Sequence, residues 1–166
     1  VKLARELADE YTAKNPEKPR FVAGSVGPTN KTCSMSPDVN NPAYRALSYD
    51  ELAASYQQQM EAMLEGGVDA ILIETIFDTL NAKAAIFAAG QAMKTTGIKV
   101  PVMLSVTVSD IGGRTLSGQT LDAFLASVQH ADIFSVGLNC SFGARQLKPF
   151  LEQLAARAPY YICLLY

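Results

Sequence analysis

The sequence predicts an α/β fold in which about five parallel strands alternate with helices. Five short runs are almost continuously apolar, which is typical of strands buried on both faces of a sheet. Segments with helical spacing separate these runs, and this alternation favours a parallel sheet with right-handed crossovers. No repeat, low-complexity tract or linker divides the 166 residues, which are enough for one domain with a core.

The predicted strands follow from the apolar runs in chain order. They cover Phe21–Gly24, Ala70–Glu74, Val100–Thr107, Asp132–Leu138 and Tyr160–Leu165. A doubly wound sheet and a (β/α)8 barrel both fit this order of elements. Because a complete barrel takes about 250 residues, this chain is long enough only for part of one.

Capping residues predict where two of the helices begin and end. Ser48 and Glu51 have the spacing of a capping box, and Gly66 follows the end of that helix. Asp78 is predicted to cap a second helix that stops near Gly97.

Apolar spacing predicts three further helices. Val1–Glu10 is a charged amphipathic segment, and two later helices carry Leu121 to Val128 and Leu147 to Leu154. Pro149 within the last segment predicts a late start or a kink. The stretch Pro28–Leu47 has no such pattern, and long loops of this kind are often functional.

Composition excludes several classes of function. The net charge is -2 and no basic run is interleaved with aromatic residues, which argues against nucleic-acid binding. No apolar stretch approaches the roughly 20 residues of a membrane span. Three widely spaced cysteines argue against a disulfide framework and for a reducing, cytoplasmic setting. The chain starts at Val1 rather than at a methionine, so we expect that the natural protein begins earlier.

Asn139, Cys140 and Ser141 end the fourth predicted strand, where ligands of parallel α/β folds collect. A cysteine there is a candidate zinc ligand or nucleophile, although a packed thiol is the alternative. Glu74 ends the second strand, and a glutamate facing inward there needs a cation such as a substrate amino group. The alternatives for Glu74 are a structural ion pair or a carboxylate at a helix start.

The loop that follows the first strand is a third candidate at the same end of the sheet. Gly24–Thr32 resembles a phosphate-binding loop, but Asn30 replaces the required glycine and Pro28 removes a donor. We therefore expect this loop to line a substrate site together with Glu74 and Cys140. Arg114 is interpreted as a solvated surface residue, with binding of an anionic group as the alternative, and the single histidine, His130, as a cation near a helix end.

Five longer motifs together resemble one known family. They are Val22–Thr32, Ser36–Tyr44, Ile73–Lys83, Gly113–Gln119 and Gly137–Cys140. They are similar to the homocysteine-binding module of cobalamin-dependent methionine synthase, and the resemblance covers the chain to about Tyr161. The resemblance implies a (β/α)8 barrel, here a partial one with about five parallel strands.

The resemblance also implies roles for three residues and three cofactors. Cys140 matches one of three cysteines that hold zinc, Glu74 matches the residue that binds the amino group of homocysteine, and Asn139 lines the pocket. In this family zinc favours the homocysteine thiolate, which attacks the methyl group of methylcobalamin. Cobalamin-binding and folate-binding modules of the same polypeptide carry methylcobalamin and methyltetrahydrofolate. The product is methionine.

The chain also departs from the family. No adjacent cysteine pair is present, the glycine-rich first strand is missing, and the end from Tyr161 to Tyr166 does not follow the family pattern. Cys33 and Cys163 match no family ligand and are expected to be packed thiols. We therefore expect residues 1–166 to be a single incomplete barrel domain that is inactive alone.

Two alternatives remain open from the sequence. One is a fragment of a stand-alone homocysteine or betaine-type S-methyltransferase, which would have no cobalamin or folate module. The other is a non-catalytic α/β domain without zinc.

Overall fold

The computed structural model describes residues 1–165. Tyr166, the last residue of the segment that departs from the family pattern, lies outside the described residues. Helices and strands alternate throughout this range. The helices are α1 (Lys2–Lys14), α2 (Tyr49–Glu65), α3 (Thr79–Thr96), α4 (Leu121–Val128) and α5 (Ala144–Arg157). The strands are β1 (Ala23–Val26), β2 (Ala70–Ile76), β3 (Val102–Val106), β4 (Ser135–Leu138) and β5 (Tyr161–Leu164).

The strand order decides between the two architectures that the sequence left open. The five strands form one parallel sheet in the order β1-β2-β3-β4-β5. A doubly wound sheet reverses its strand order at a switch point, whereas a barrel adds each strand beside the previous one. The described residues therefore form an α/β fold of the partial (β/α)8 barrel type, as predicted.

The predicted helix boundaries agree with the structure because their capping residues act as expected. Ser48 and Glu51 form a complete capping box at α2. The Asp78 carboxylate accepts two backbone N–H groups at the start of α3, and Gly97 ends that helix in the left-handed conformation. Pro149 lies inside α5, which starts at Ala144, so the predicted late start is wrong.

Strand boundaries were predicted less well than helix boundaries. β1 begins at Ala23 and extends to Val26, two residues later than predicted. Phe21 lies outside the strand with 75% of its surface exposed, and the N–H of Val22 donates to the Asp69 carboxylate. β4 begins at Ser135 rather than at Asp132.

The two faces of the sheet have different surroundings. One face packs against the helices through buried residues such as Ile71, Leu104 and Val136. The other face corresponds to a barrel interior; Ser25 on it is exposed and Met103 is half-buried. Within residues 1–165, β1 and β5 each pair on one side only. No helix in this range is long and apolar enough to cross a bilayer.

Candidate functional site

The carboxyl end of β2 is irregular at the residues where the sequence predicted a site. The pairing of β2 with β3 shifts between Ile73 and Ile76, so Glu74 and Thr75 lie in a bulge. Thr75 has a φ of 58°, and Cys140 just after β4 has a φ of 53°. A positive φ is rare for residues other than glycine, especially β-branched ones, and such strain concentrates at functional sites.

Asn139 connects the ends of β2, β3 and β4. Its side chain is buried, and its Oδ1 accepts from the Thr75 N–H at 3.2 Å and from the Ser105 hydroxyl at 3.0 Å. The Thr107 hydroxyl is a third, longer donor at 3.4 Å. Its Nδ2 donates to Thr75 Oγ1 at 2.8 Å and to the Cys140 sulfur at 3.2 Å. The amide therefore uses both of its ends in bridging three strands.

Cys140 is the exposed cysteine of the three. Together with Glu74 and Asn139 it lines an open cavity of about 540 Å³ at the carboxyl edge of the sheet. Ser141 and Phe142, at the turn before α5, line the same cavity. The structure therefore brings together the three residues that the sequence singled out, and their functional roles remain predictions.

The Glu74 carboxylate accepts a hydrogen bond from the Ser25 hydroxyl on the neighbouring strand. Within residues 1–165 it forms no ion pair with a lysine, arginine or histidine. The structural ion pair considered as an alternative is therefore not seen in the described part of the chain. The carboxylate faces a cavity that is large enough for a small cationic group.

The long loop after β1, residues 28–47, is hydrogen-bonded to the start of α3. Buried Asp78 accepts from the Ser34 N–H and hydroxyl, and Asn81 accepts from the Cys33 N–H at 2.8 Å. Burial raises the pKa of the Cys33 thiol, and the Asp78 charge raises it further. Tyr56 also contacts this loop, because its hydroxyl donates to the Gly27 carbonyl at 3.2 Å.

The donors present in this chain do not fit a zinc ion by themselves. Protein zinc sites use three or four side-chain ligands. Cys140 offers one sulfur, and residues 1–165 contain no group of three His, Cys, Asp or Glu side chains that could hold a metal. Cys33 is a buried residue of the long loop, and Cys163 lies opposite Gly137 within the sheet.

Sequence reasoning missed Ser105, which had a recognisable signal because it is a polar residue within the apolar run of β3. Ser25 lies within the predicted loop Gly24–Thr32, and Thr75 directly follows Glu74 at the predicted strand end. The hydrogen bonds of Ser25 and Thr75 were not predicted, since they depend on how separate strands align. Arg114 is exposed, as expected of a surface residue, and His130 is exposed just beyond the end of α4.

Comparison with known proteins gives a matching family and several similar solved structures. The model of the family described as "Homocysteine S-methyltransferase" matches residues 1–165. The structure of the homocysteine methyltransferase MmuM from Escherichia coli is similar in its apo form, with a TM-score of 0.77 and 22% identity. The alignment covers 99% of this chain and 56% of that one.

The metallated form of MmuM gives the same TM-score and identity, with 55% of its chain covered. The chain thus spans little more than half the length of these enzymes. At this level of identity the likeness shows a shared fold.

Proposed function

We propose a function from the premise that this chain belongs to the homocysteine S-methyltransferase family. In this proposal the cavity at the carboxyl edge of the sheet binds homocysteine for methylation to methionine. The observation that carries it is Glu74, a carboxylate that faces the cavity beside Cys140 and has no cationic partner within residues 1–165. An amino acid with a sulfur-containing side chain has a cation and a sulfur to match these two groups.

Glu74 is assigned to the ammonium group of homocysteine. A charged hydrogen bond between ammonium and carboxylate is worth more than a neutral one, and it selects amino acids over uncharged thiols. Ser25 holds one oxygen of the carboxylate and so limits its rotation. Asn139 is assigned to the wall of the pocket, where it holds the neighbouring sulfur rather than offering a free donor.

Cys140 is assigned to a zinc site that ligands from outside this sequence complete. Cys140 provides one zinc ligand, whereas a zinc site needs at least three. We therefore propose that this chain alone does not methylate homocysteine. In the same proposal residues 1–166 are an incomplete barrel domain that lacks the first strand and the C-terminal strands. The parent protein would then be a cytoplasmic, cobalamin-dependent methionine synthase, with methylcobalamin and methyltetrahydrofolate bound by its other modules.

A stand-alone homocysteine methyltransferase is the second candidate. The likeness to MmuM, which covers 99% of this chain, favours it as much as the first. The two differ in the methyl donor and in the rest of the polypeptide. Absorbance spectra of the purified complete protein separate them, because bound cobalamin is coloured and a stand-alone enzyme would bind none.

Glu74→Gln in the complete protein tests the binding role, because it removes the charge and keeps the size. We expect homocysteine affinity, measured by titration calorimetry, to fall at least about tenfold, the effect of about 1.4 kcal/mol from a charged hydrogen bond. Glu65→Gln, at the exposed end of α2, is the matched control and should bind normally. Wild-type affinity in Glu74→Gln would refute the assignment.

Cys140→Ser in the complete protein tests the metal assignment. We expect the zinc content per protein, measured by elemental analysis, to fall well below that of the wild type. Cys163→Ser is the control, since Cys163 lies within the sheet and should leave zinc content unchanged. Full zinc content in Cys140→Ser would show that Cys140 is not a ligand of the metal.

A further inference from the structure

We propose that Ser105 is a positioning residue, which sets the orientation of the Asn139 amide and thereby the place of the Cys140 sulfur. The inference rests on the proposed function only in treating the Cys140 cavity as the substrate site. Two hydrogen bonds connect β3 with the Cys140 sulfur: one from Ser105 to Asn139 and one from Asn139 to the sulfur. Ser105 itself is 2% exposed and does not line the cavity.

The orientation of the Asn139 amide follows from its neighbours. The backbone N–H of Thr75 can only donate, so the amide atom 3.2 Å from it must be the oxygen. The Ser105 hydroxyl donates to the same oxygen at 3.0 Å. With its oxygen held by these donors, the amide must direct its NH2 group towards Thr75 Oγ1 and the Cys140 sulfur.

The bulge in β2 makes this arrangement possible. Where the β2–β3 register shifts, the N–H of Thr75 leaves the regular ladder and becomes available to a side chain. The positive φ of Thr75 places its hydroxyl 2.8 Å from the Asn139 NH2 group and 3.9 Å from the Cys140 sulfur. A strained conformation persists only where surrounding contacts hold it, and Asn139 provides two of them.

Ser105 is the buried anchor of this chain of contacts. In Ser105→Ala the oxygen of Asn139 keeps the Thr75 N–H, but its next donor is the longer contact from Thr107 at 3.4 Å. The Asn139 amide then rotates more freely, so its NH2 group is hydrogen-bonded to the Cys140 sulfur for a smaller fraction of the time. An electron pair of sulfur that is no longer engaged by a donor is freer to attack an electrophile.

The three cysteines of the chain allow this to be tested without substrate or metal. We would measure the rate at which iodoacetamide modifies each cysteine, using mass spectrometry on the full chain. The rates would be taken where they no longer rise with pH, so that fully ionised thiolates are compared between variants. Buried Cys33 reports on folding, and half-buried Cys163 reports on the sheet.

In Ser105→Ala we expect modification of Cys140 to be about fivefold faster, the factor that corresponds to one hydrogen bond of about 1 kcal/mol. Cys33 should stay protected and Cys163 should react at its wild-type rate. Ser105→Thr, which restores a hydroxyl, should return Cys140 to its original rate. Ser135→Ala is the matched control, because this buried serine on the adjacent strand has no hydrogen-bond partner within residues 1–165.

An unchanged Cys140 rate in folded Ser105→Ala would overturn the inference, and so would an equal acceleration at Cys163. If Ser105→Ala exposes Cys33, Ser105→Cys is measured in its place, because a thiol fills the site but donates only weakly. Cys140 should again be modified faster than in the wild type while Cys33 stays protected. An unchanged Cys140 rate in that variant would overturn the inference. A failure of homocysteine binding would refute the proposed function and leave this result standing.

Discussion

Gly137 in β4 lies so close to the backbone of Cys163 in β5 that a β-carbon at residue 137 would overlap the Cys163 carbonyl group. The two residues are partners in the parallel register of these strands. Glycine within a strand often marks a place where another backbone approaches closely. The absence of a side chain at Gly137 is therefore a condition for β5 to join the sheet.

Gly137→Ala should destabilise the chain by at least about 3 kcal/mol, the upper end of the usual cost of overpacking, because the clash is with backbone. The measurement is urea unfolding followed by circular dichroism. Gly90→Ala is the matched control, since nothing lies within 4 Å of the added carbon. Because alanine is favoured over glycine in helices, that control should gain up to about 1 kcal/mol. Equal behaviour of the two variants would contradict the assigned close approach.

Asp78→Ala should release the long loop after β1 from α3. The buried carboxylate accepts from Ser34 and from the N–H groups of Leu80 and Asn81, so its loss removes a helix cap and leaves donors unpaired. We expect a loss of at least about 2 kcal/mol in unfolding free energy. Limited proteolysis should also cut between residues 28 and 47 faster than in the wild type. Asn40→Ala, an exposed change within that loop, should alter neither property; faster cutting in Asn40→Ala alone would contradict the role of Asp78.

The free energy of unfolding should fall at alkaline pH, in part because Tyr56 loses its proton more easily in the unfolded chain than when it is buried. Burial raises the pKa of Tyr56 to about 12, with a further contribution from Cys33. An unfolded tyrosine loses its proton near pH 10, so this contribution is complete below about 10 and is lost as the pH rises towards about 12. In Tyr56→Phe the unfolding free energy should therefore depend less steeply on pH in that window. Tyr11→Phe, at an exposed position, should keep the wild-type slope, and an unchanged slope in Tyr56→Phe would count against the pKa shift.

Ser135→Ala should stabilise the chain by about 1 kcal/mol. The hydroxyl of Ser135 is buried and has no hydrogen-bond partner among the described residues, so its removal relieves a desolvation cost without breaking a bond. Thermal unfolding of the variant beside the wild type measures this directly. A loss of stability would mean that the hydroxyl has a partner in the natural protein.

The sequence predicted the helices better than the strands for a physical reason. Helix ends are set by local contacts, such as those of Ser48 with Glu51 and of Asp78 with the following N–H groups. Strand ends depend on the partner strand. Phe21 looked like part of a strand from its neighbours, yet pairing with β2 begins only at Ala23.

In the candidate site, too, features set by the local sequence were predictable and features set by strand pairing were not. Glu74 and Cys140 were recognisable because each stands at the polar end of an apolar run. The bulge at Thr75 and the buried bond from Ser105 to Asn139 were not, since both depend on the alignment of residues at least 30 positions apart in the chain. The (β/α)8 assignment came from resemblance, and the strand order then distinguished it from a doubly wound sheet.

The sequential strand order also bears on how the chain folds as it is made. Each strand pairs with the strand that precedes it in the chain, so no strand must wait for a partner encoded much later. Paired residues lie 26 to 47 positions apart, from Ser135 with Tyr161 to Ala23 with Ala70, so each pairing closes only one crossover. During synthesis each new strand and helix can therefore dock on those already outside the ribosome, and the sheet can grow in the order of translation.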